Sequence, residues 1–264
     1  YHMGGIETSE HGETCVNGLY AAGECACASV HGSNRLGGNA LPELIVFGAR
    51  AGSHAAGGDL AEAQIPTGQT GEWEPGDVDT TVEPGEPSVG SGEALADGGA
   101  TNLAPADVVA RTTERARARV EALLDNDGRN HSEIRASLQE TMTDNVNVFR
   151  EESRLKQALQ DIRTARDAYE DVGVADQSRT FNTDLIHTIE TRNVIDLAEA
   201  ITLGALAREE FRGAHWRQGH QERDDENWLK HTLLSWNSGQ PELWYRPVLL
   251  EGENKRYEPK IRSY

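Results

Sequence analysis

Apolar residues in the second half of the chain recur at the three- to four-residue spacing of helices that bury one face. This pattern predicts helices from about Pro105 to Leu124, from His131 to Met142 and from Asn147 to Asp171. A pair of shorter helices is predicted within Thr183–Arg212. These elements predict a small helical bundle over residues 105–213. In the third helix the apolar positions are Leu155, Leu159, Ile162, Ala165 and Tyr169.

The first 57 residues are rich in Gly and Ala and carry short apolar runs. The run Gly18–Glu24 predicts a short buried strand that ends in a turn. A helix is predicted from about Asn39 to Ala56. Pro42 fits its first turn, where backbone N–H groups have no helical partner.

Two further segments lack helical periodicity. Residues 58–104 are acidic and rich in Gly and Pro, and this composition predicts a linker or loop. Within them, the stretch Gln64–Asn102 has too few aliphatic residues to join a core. Residues 214–264 predict an extended tail with one or two strands near Leu243–Leu250. The predicted fold is therefore mixed: an α/β segment, then a helical bundle, then an extended C-terminal tail.

The charge balance limits the classes of partner. The formal net charge is −19, with 44 Asp and Glu against 25 Lys and Arg, and only four of the basic residues are lysines. This balance argues against nucleic acid and anionic membrane surfaces as partners, because binding to either needs clustered basic residues. Dense acidic charge with few lysines is typical of a surface used at high salt, as in a halophilic archaeon. An ordinary acidic protein is the alternative interpretation.

Cysteine usage and hydropathy narrow the classes of protein further. Cys15, Cys25 and Cys27 are an odd number in a large chain, which argues against a secreted disulfide scaffold. The pair Cys25 and Cys27 is predicted to be two small buried residues, and no metal site is predicted. No run approaches about 18 apolar residues, and no signal peptide is visible. A role at a membrane would therefore need another subunit as the anchor.

The candidate chemistry lies within the first fifty residues. The stretch Ser29–Asn39 places His31 and Arg35 among glycines directly before a predicted helix N-terminus. Such a terminus favours anions, and the planar guanidinium of Arg35 suits a carboxylate. Glu24 follows a glycine at the end of the predicted strand, where a carboxylate can accept hydrogen bonds from ribose or ribityl hydroxyls. For Glu24 alone, a solvated turn residue is the simpler interpretation.

These residues resemble the flavoprotein subunit of succinate dehydrogenases and fumarate reductases. The resemblance is carried by the opening Tyr1–Ile6 and by the run Gly18–Gly48, GLYAAGECACASVHGSNRLGGNALPELIVFG. His2 stands at a variable position of the opening motif, and Phe211 replaces a usual Ser. Gln218–Gln221 departs from the acidic-aromatic-Pro stretch of the family. Further matching blocks lie at residues 138–150, 181–198, 208–215, 223–232 and 257–264.

The resemblance implies FAD-dependent interconversion of succinate and fumarate, with hydride transfer at the flavin N5. It implies that Arg35 clamps a substrate carboxylate and that His31 orders the loop and lines the substrate pocket. It also implies four cofactor contacts: the Glu24 carboxylate to the ribityl chain, and the backbone N–H groups of Asn39, Ala40 and Leu41 to the flavin ring.

The resemblance also implies an organisation and partners. Residues 1–57 would be the C-terminal segment of an FAD-binding domain, followed by the linker, the bundle and the tail. An iron–sulfur subunit and membrane anchor subunits would hold the protein peripherally at the cytoplasmic side of the cell membrane. An L-aspartate oxidase-like flavoenzyme shares the block from His31 to Gly38 and is one alternative. A non-catalytic helical module that docks an iron–sulfur subunit is another. The block Asn227–Thr232 favours the dehydrogenase and reductase branch.

Overall fold

The computed structural model describes residues 2–57, 106–237, 239–252 and 255–256. The stretch Gln64–Asn102, predicted to be a loop, lies outside the described residues, as does the matching block at residues 257–264. The described elements mix helices with short strands, in agreement with the predicted mixed fold class. The division of the chain into four units stays a prediction.

The first part of the chain contains two short parallel strands and one helix. Strand β1 (Ile6–Glu7) pairs with β2 (Ala26–Cys27), and helix α1 spans Ala40–Ala55. The structure confirms the predicted helix, and Pro42 occupies its first turn.

The strand predicted over Gly18–Glu24 is wrong. Gly18 and Gly23 adopt left-handed φ angles of 78° and 85°, which turn the chain and are accessible to glycine at little cost. Between them only Tyr20 makes an isolated bridge, to Glu13. The paired strand lies two residues later, at β2. The prediction that Cys25 and Cys27 are both buried is wrong, because Cys25 is exposed in the turn that leads into β2 and Cys27 is only partly buried.

Four helices form the predicted bundle. They are α2 (Ala106–Asp125), α3 (His131–Thr141), α4 (Glu152–Tyr169) and α5 (Thr183–Ala207). Short strands β3 (Arg129–Asn130) and β4 (Val172–Gly173) pair in parallel at one end. The apolar faces of the helices meet in one core that includes Leu123, Leu124, Ile134, Leu138, Ile162, Tyr169 and Ile195.

Two boundaries in the bundle differ from the prediction. Helix α4 begins five residues after Asn147, because a π-helical turn at Met142–Val146 is followed by a non-helical Asn147 with ψ −148°. The predicted helix pair is one continuous helix, α5, of 25 residues. Polar residues between Ile189 and Ile195 interrupt its apolar pattern without ending it: the hydroxyl of Thr191 donates to the His187 carbonyl one turn back, at 2.7 Å.

The last described part is a β-hairpin. A short helix α6 (Asp225–Trp228) precedes β5 (Lys230–Asn237), which pairs antiparallel with β6 (Gln240–Pro247). The predicted strand near Leu243 is confirmed, although β6 ends at Pro247. Beyond it, β7 (Glu251–Gly252) pairs with β8 (Lys255–Arg256). In the part of the chain that the structure describes, no helix is both long and apolar enough to cross a membrane.

Candidate functional site

The loop between β2 and α1 carries the predicted catalytic residues, and His31 ties it to the helix. The His31 Nε2–H donates to the Glu43 carboxylate at 2.8 Å. Glu43 lies in the first turn of α1 and only 6% of its surface is exposed. The loop itself is tightly bent, since Ser29 and Gly32 have φ angles of 60° and 61°. His31 therefore links the loop to the first turn of α1, and its role in the site stays a prediction.

Arg35 is held at the opposite end of this loop. Its backbone N–H donates to Met3 Sδ at 3.1 Å, and its Nη1 donates to the Leu36 carbonyl at 3.1 Å. The side chain is half-buried. Gly37 and Gly38 follow, and among the described residues no heavy atom beyond their chain neighbours lies within 4 Å of where a Cβ would sit. The guanidinium thus stands beside an open glycine backbone.

The N-terminus of α1 follows directly. The N–H of Asn39 donates to the Leu36 carbonyl at 3.2 Å, so a ligand at this group would compete with a turn hydrogen bond. The N–H groups of Ala40 and Leu41 belong to the first helical turn, where helix geometry supplies no acceptor. The Leu41 side chain is 68% exposed. The helix dipole and these N–H groups favour an anionic or hydrogen-bond-accepting ligand edge.

Glu24 lies near the same opening segment. Its carboxylate is exposed and accepts a hydrogen bond from the His2 N–H at 3.1 Å. The neighbouring Gly23 packs so closely on α1 that an added Cβ would lie 2.2 Å from Leu44 Cδ2. Because residues 2 and 3 contact Glu24 and Arg35 respectively, the structure brings the predicted carboxylate and cation to one short segment.

Sequence reasoning missed the contacts that residues after 208 make with this loop. The Ala214 N–H donates to the Ser33 carbonyl at 2.9 Å. The Ser29 hydroxyl lies 3.3 Å from His231 Nε2, although 202 positions separate the two residues. The only signal in the sequence was Gly213, since a glycine within a polar block often marks a close backbone approach.

Two histidines near the loop, His215 and His231, have lowered pKa values. Burial lowers the pKa of His231, and the nearby Arg246 and Arg208 lower it further. Burial lowers the pKa of His215 to about 4, with Arg150 and Arg208 acting in the same direction. His215 donates from Nε2 to the Arg208 carbonyl and accepts from Arg150 at Nδ1, both at 3.1 Å. These contacts require the neutral ring.

A buried ion network lies beside His215. Glu210 is 0% exposed and its Oε1 accepts from Arg208 Nη1 at 2.5 Å and from Arg212 Nε at 2.7 Å. Its Oε2 accepts from Arg212 Nη2 at 2.9 Å and from the Asp224 N–H at 3.1 Å. Two cations and one backbone donor thus satisfy one carboxylate, which is the condition for burying a charge.

Comparison with known proteins identifies the family. The family described as FAD binding domain matches residues 1–41, and the one described as fumarate reductase flavoprotein C-term matches residues 135–264. The chain is 35% identical over 266 residues to the fumarate reductase flavoprotein subunit of Haemophilus influenzae. It is 35% identical over 277 residues to the mitochondrial succinate dehydrogenase [ubiquinone] flavoprotein subunit of Oryza sativa subsp. japonica. The chain belongs to the flavoprotein-subunit family of succinate dehydrogenases and fumarate reductases.

Solved members of this flavoprotein family share the fold. A chain of Escherichia coli quinol fumarate reductase superposes with a TM-score of 0.72 at 30% identity, covering 92% of this chain and 36% of that chain. A quinol–fumarate reductase solved with menaquinol molecules gives 0.71 at 32% identity, over 93% of this chain and 36% of that one. Both sequence alignments include all of this chain, which spans only 37% and 38% of those two relatives.

The two family matches divide the candidate site between them. Residues 1–41 include Glu24, the loop with His31 and Arg35, and the start of α1. Residues 135–264 include the Glu210 network and the hairpin. Over residues 2–57, 106–237, 239–252 and 255–256, the structure contains no group of three or more His, Cys, Asp or Glu side chains able to hold a metal ion.

Proposed function

We propose that this chain forms part of the active site of a succinate dehydrogenase or fumarate reductase flavoprotein subunit, which interconverts succinate and fumarate with FAD. The observation that carries the proposal is the loop at residues 29–35. It holds Arg35 beside an open glycine backbone, directly before the N-terminus of a 16-residue helix. A dicarboxylate needs such a cation, and a flavin needs such donors.

The residues present fit FAD. A Cβ on Gly37 or Gly38 would extend into space that no other described heavy atom occupies within 4 Å, so a flat ring can approach this backbone. Exposed apolar side chains flank the approach at Leu36, 43% exposed, and at Leu41. The exposed Glu24 carboxylate can accept hydrogen bonds from ribityl hydroxyls. Apolar faces with a few placed polar groups are typical of cofactor sites.

Each residue then has a physical role in the reaction. Arg35 binds one substrate carboxylate through two parallel hydrogen bonds and fixes the orientation of the carbon that exchanges hydride. His31 keeps the loop in place through Glu43. Ala40 and Leu41 donate backbone hydrogen bonds to the flavin edge on which negative charge develops. When bound here, FAD would supply the hydride acceptor for succinate oxidation and the hydride donor for fumarate reduction.

The solved relatives support a proposal for the partner subunits and the location of this protein. The solved relatives include quinol fumarate reductase. By analogy this subunit passes electrons to an iron–sulfur subunit, and membrane anchor subunits hold it peripherally at the cytoplasmic face of the cell membrane. Its net charge of −19 with four lysines supports operation at high salt.

The test uses the complete flavoprotein subunit that contains this chain, purified with its partner subunits. It should carry flavin and reduce an artificial electron acceptor with succinate, while L-aspartate should give no turnover. Turnover of L-aspartate without succinate activity would replace the proposal with an aspartate oxidase. Folded, flavin-free protein that still binds an iron–sulfur subunit would leave only a docking module.

A further inference from the structure

We propose that the turn Arg212–His215 is a positioning element for the dicarboxylate-binding loop, an inference that rests on the function proposed above. The turn lies far along the chain from this loop, yet its backbone touches the loop two residues before Arg35. Its role would be to set where the Arg35 guanidinium stands, without contacting substrate or flavin.

The contact is made backbone to backbone. The Ala214 N–H donates to the Ser33 carbonyl at 2.9 Å. Gly213 has a φ angle of 58°, and a Cβ built on it would lie 2.4 Å from Ser33 Oγ and 2.7 Å from the Ser33 carbonyl oxygen. Any side chain at position 213 would therefore push the loop away, because carbonyl atoms cannot move aside as a flexible side chain can.

The turn is stiff enough to act as a support. Arg212 and His215 exchange backbone hydrogen bonds of 3.0 and 2.9 Å. The Arg212 guanidinium is fixed on the buried Glu210 by two bonds, and its Nη2 also donates to Asp225 at 2.7 Å. His215 is fixed by its bonds to Arg150 and to the Arg208 carbonyl.

The same network reaches the other end of the loop. Arg208 Nη1 binds Glu210, and Arg208 Nη2 donates to the Lys230 carbonyl at 2.6 Å. His231, the next residue of β5, lies against the Ser29 hydroxyl. The two ends of the segment Ser29–Ser33 are thus contacted by parts of the chain that Arg208 and Arg212 connect to the buried Glu210 carboxylate.

A shift of Ser33 should weaken dicarboxylate binding and leave flavin binding intact. Arg35 lies two residues beyond Ser33, whereas the flavin contacts at Glu24, Ala40 and Leu41 have their own attachments to the opening segment and α1. This separation gives the proposal a readout that a general loss of stability would not produce.

The test compares Gly213→Ala with Gly219→Ala in the complete flavin-loaded enzyme. Gly219 also has a left-handed φ, 87°, but among the described residues no heavy atom beyond its chain neighbours lies within 4 Å of its added Cβ. Malonate binding is measured from the change in flavin absorbance. We expect Gly213→Ala to weaken malonate binding about tenfold or more, because a misplacement of about 1 Å can cost on the order of a hundredfold. The malonate affinity of Gly219→Ala should stay within about twofold of the wild type, since this change strains the backbone but pushes no neighbouring group aside.

A second pair keeps the test decisive if Gly213→Ala does not fold. Arg212→Lys keeps the charge but loses the fork on Glu210, and Arg223→Lys makes the same change at a residue that binds Asp225 through two bonds. Only Arg212→Lys should weaken malonate binding at unchanged flavin content. Equal malonate affinity in both variants of a pair overturns the inference. If the wild-type enzyme itself binds no dicarboxylate, the proposed function fails instead.

Discussion

Glu210→Gln should be among the most destabilising single substitutions in this chain. The side chain is 0% exposed and accepts four hydrogen bonds, three of them from Arg208 and Arg212. Glutamine has nearly the same shape as glutamate, but it carries no negative charge. Its NH₂ group would also face the N–H donors that the carboxylate accepts from. The Arg208 guanidinium, which is 12% exposed, would then lose its counter-charge, and the Arg212 guanidinium, which is 18% exposed, would lose one of its two carboxylate partners.

The magnitude follows from the burial of this network. Removing one partner of a buried ion pair costs about 3–5 kcal/mol, because the remaining charge is left desolvated. The small residual exposure of both arginines places the expected loss near the lower end, at about 3 kcal/mol. The measurement is the free energy of unfolding, from the shift in denaturation midpoint multiplied by the m-value.

A matched control exists on the bundle surface. Glu121 also binds an arginine through two oxygens, with 2.8 and 2.6 Å bonds to Arg179. The Arg179 side chain is 71% exposed, so water replaces the lost contact in Glu121→Gln. The midpoint should move far less for Glu121→Gln than for Glu210→Gln. Equal shifts for the two variants would refute the argument from desolvation.

Three further predictions concern stability. The unfolded chain protonates His215 near pH 6.5 and the folded chain near pH 4, so stability should fall as pH drops through this window. The loss, reduced for partial solvent screening, is about 2 kcal/mol. His215→Gln, which keeps one donor and one acceptor, should flatten the pH profile of the unfolding free energy; an unchanged profile would contradict this. Ile195→Ala should cost about 2–5 kcal/mol because the side chain is 0% exposed. Leu197→Ala, 60% exposed, should stay within about 0.5 kcal/mol, and similar losses would place Ile195 outside the core. Melting temperature should rise across a KCl series because salt screens the net charge of −19; a flat or falling curve would exclude salt adaptation.

Local signals predicted the helices well and the long-range contacts poorly. Helix α1 could be predicted because its signals, Pro42 and the apolar run that follows, depend only on neighbours one or two helical turns away. The strand over Gly18–Glu24 could not be excluded, since the sequence alone does not show whether a glycine has a left-handed φ. Apolar periodicity predicts two helices instead of α5 because it is interrupted between Ile189 and Ile195, where polar residues such as Thr191 bond the carbonyl of the preceding turn and continue the helix.

In the candidate site, too, the sequence gives local signals but not long-range contacts. Arg35, His31 and Glu24 could be nominated from the sequence because their block is short and compact, and their roles stay predictions. The supports of that block, Ala214 and His231, are distant in sequence and contribute a backbone N–H and a partly buried ring. No local pattern specifies such contacts, because they are set by how the hairpin packs against the loop.

The central claim is that Arg35 binds the dicarboxylate beside the flavin. Its most direct test is kcat/KM for succinate, normalised to bound flavin, in the complete enzyme with Arg35→Lys. The matched control is Arg50→Lys: Arg50 lies on α1 and bonds the Glu10 carbonyl, away from the loop. Losing the bidentate contact should cost on the order of 2–5 kcal/mol, or tens to thousands of fold in kcat/KM. Arg50→Lys should alter stability but leave kcat/KM per flavin near the wild-type value. A near-normal kcat/KM per flavin in Arg35→Lys, with only a lowered melting temperature, would show that Arg35 merely braces its loop and would contradict the account.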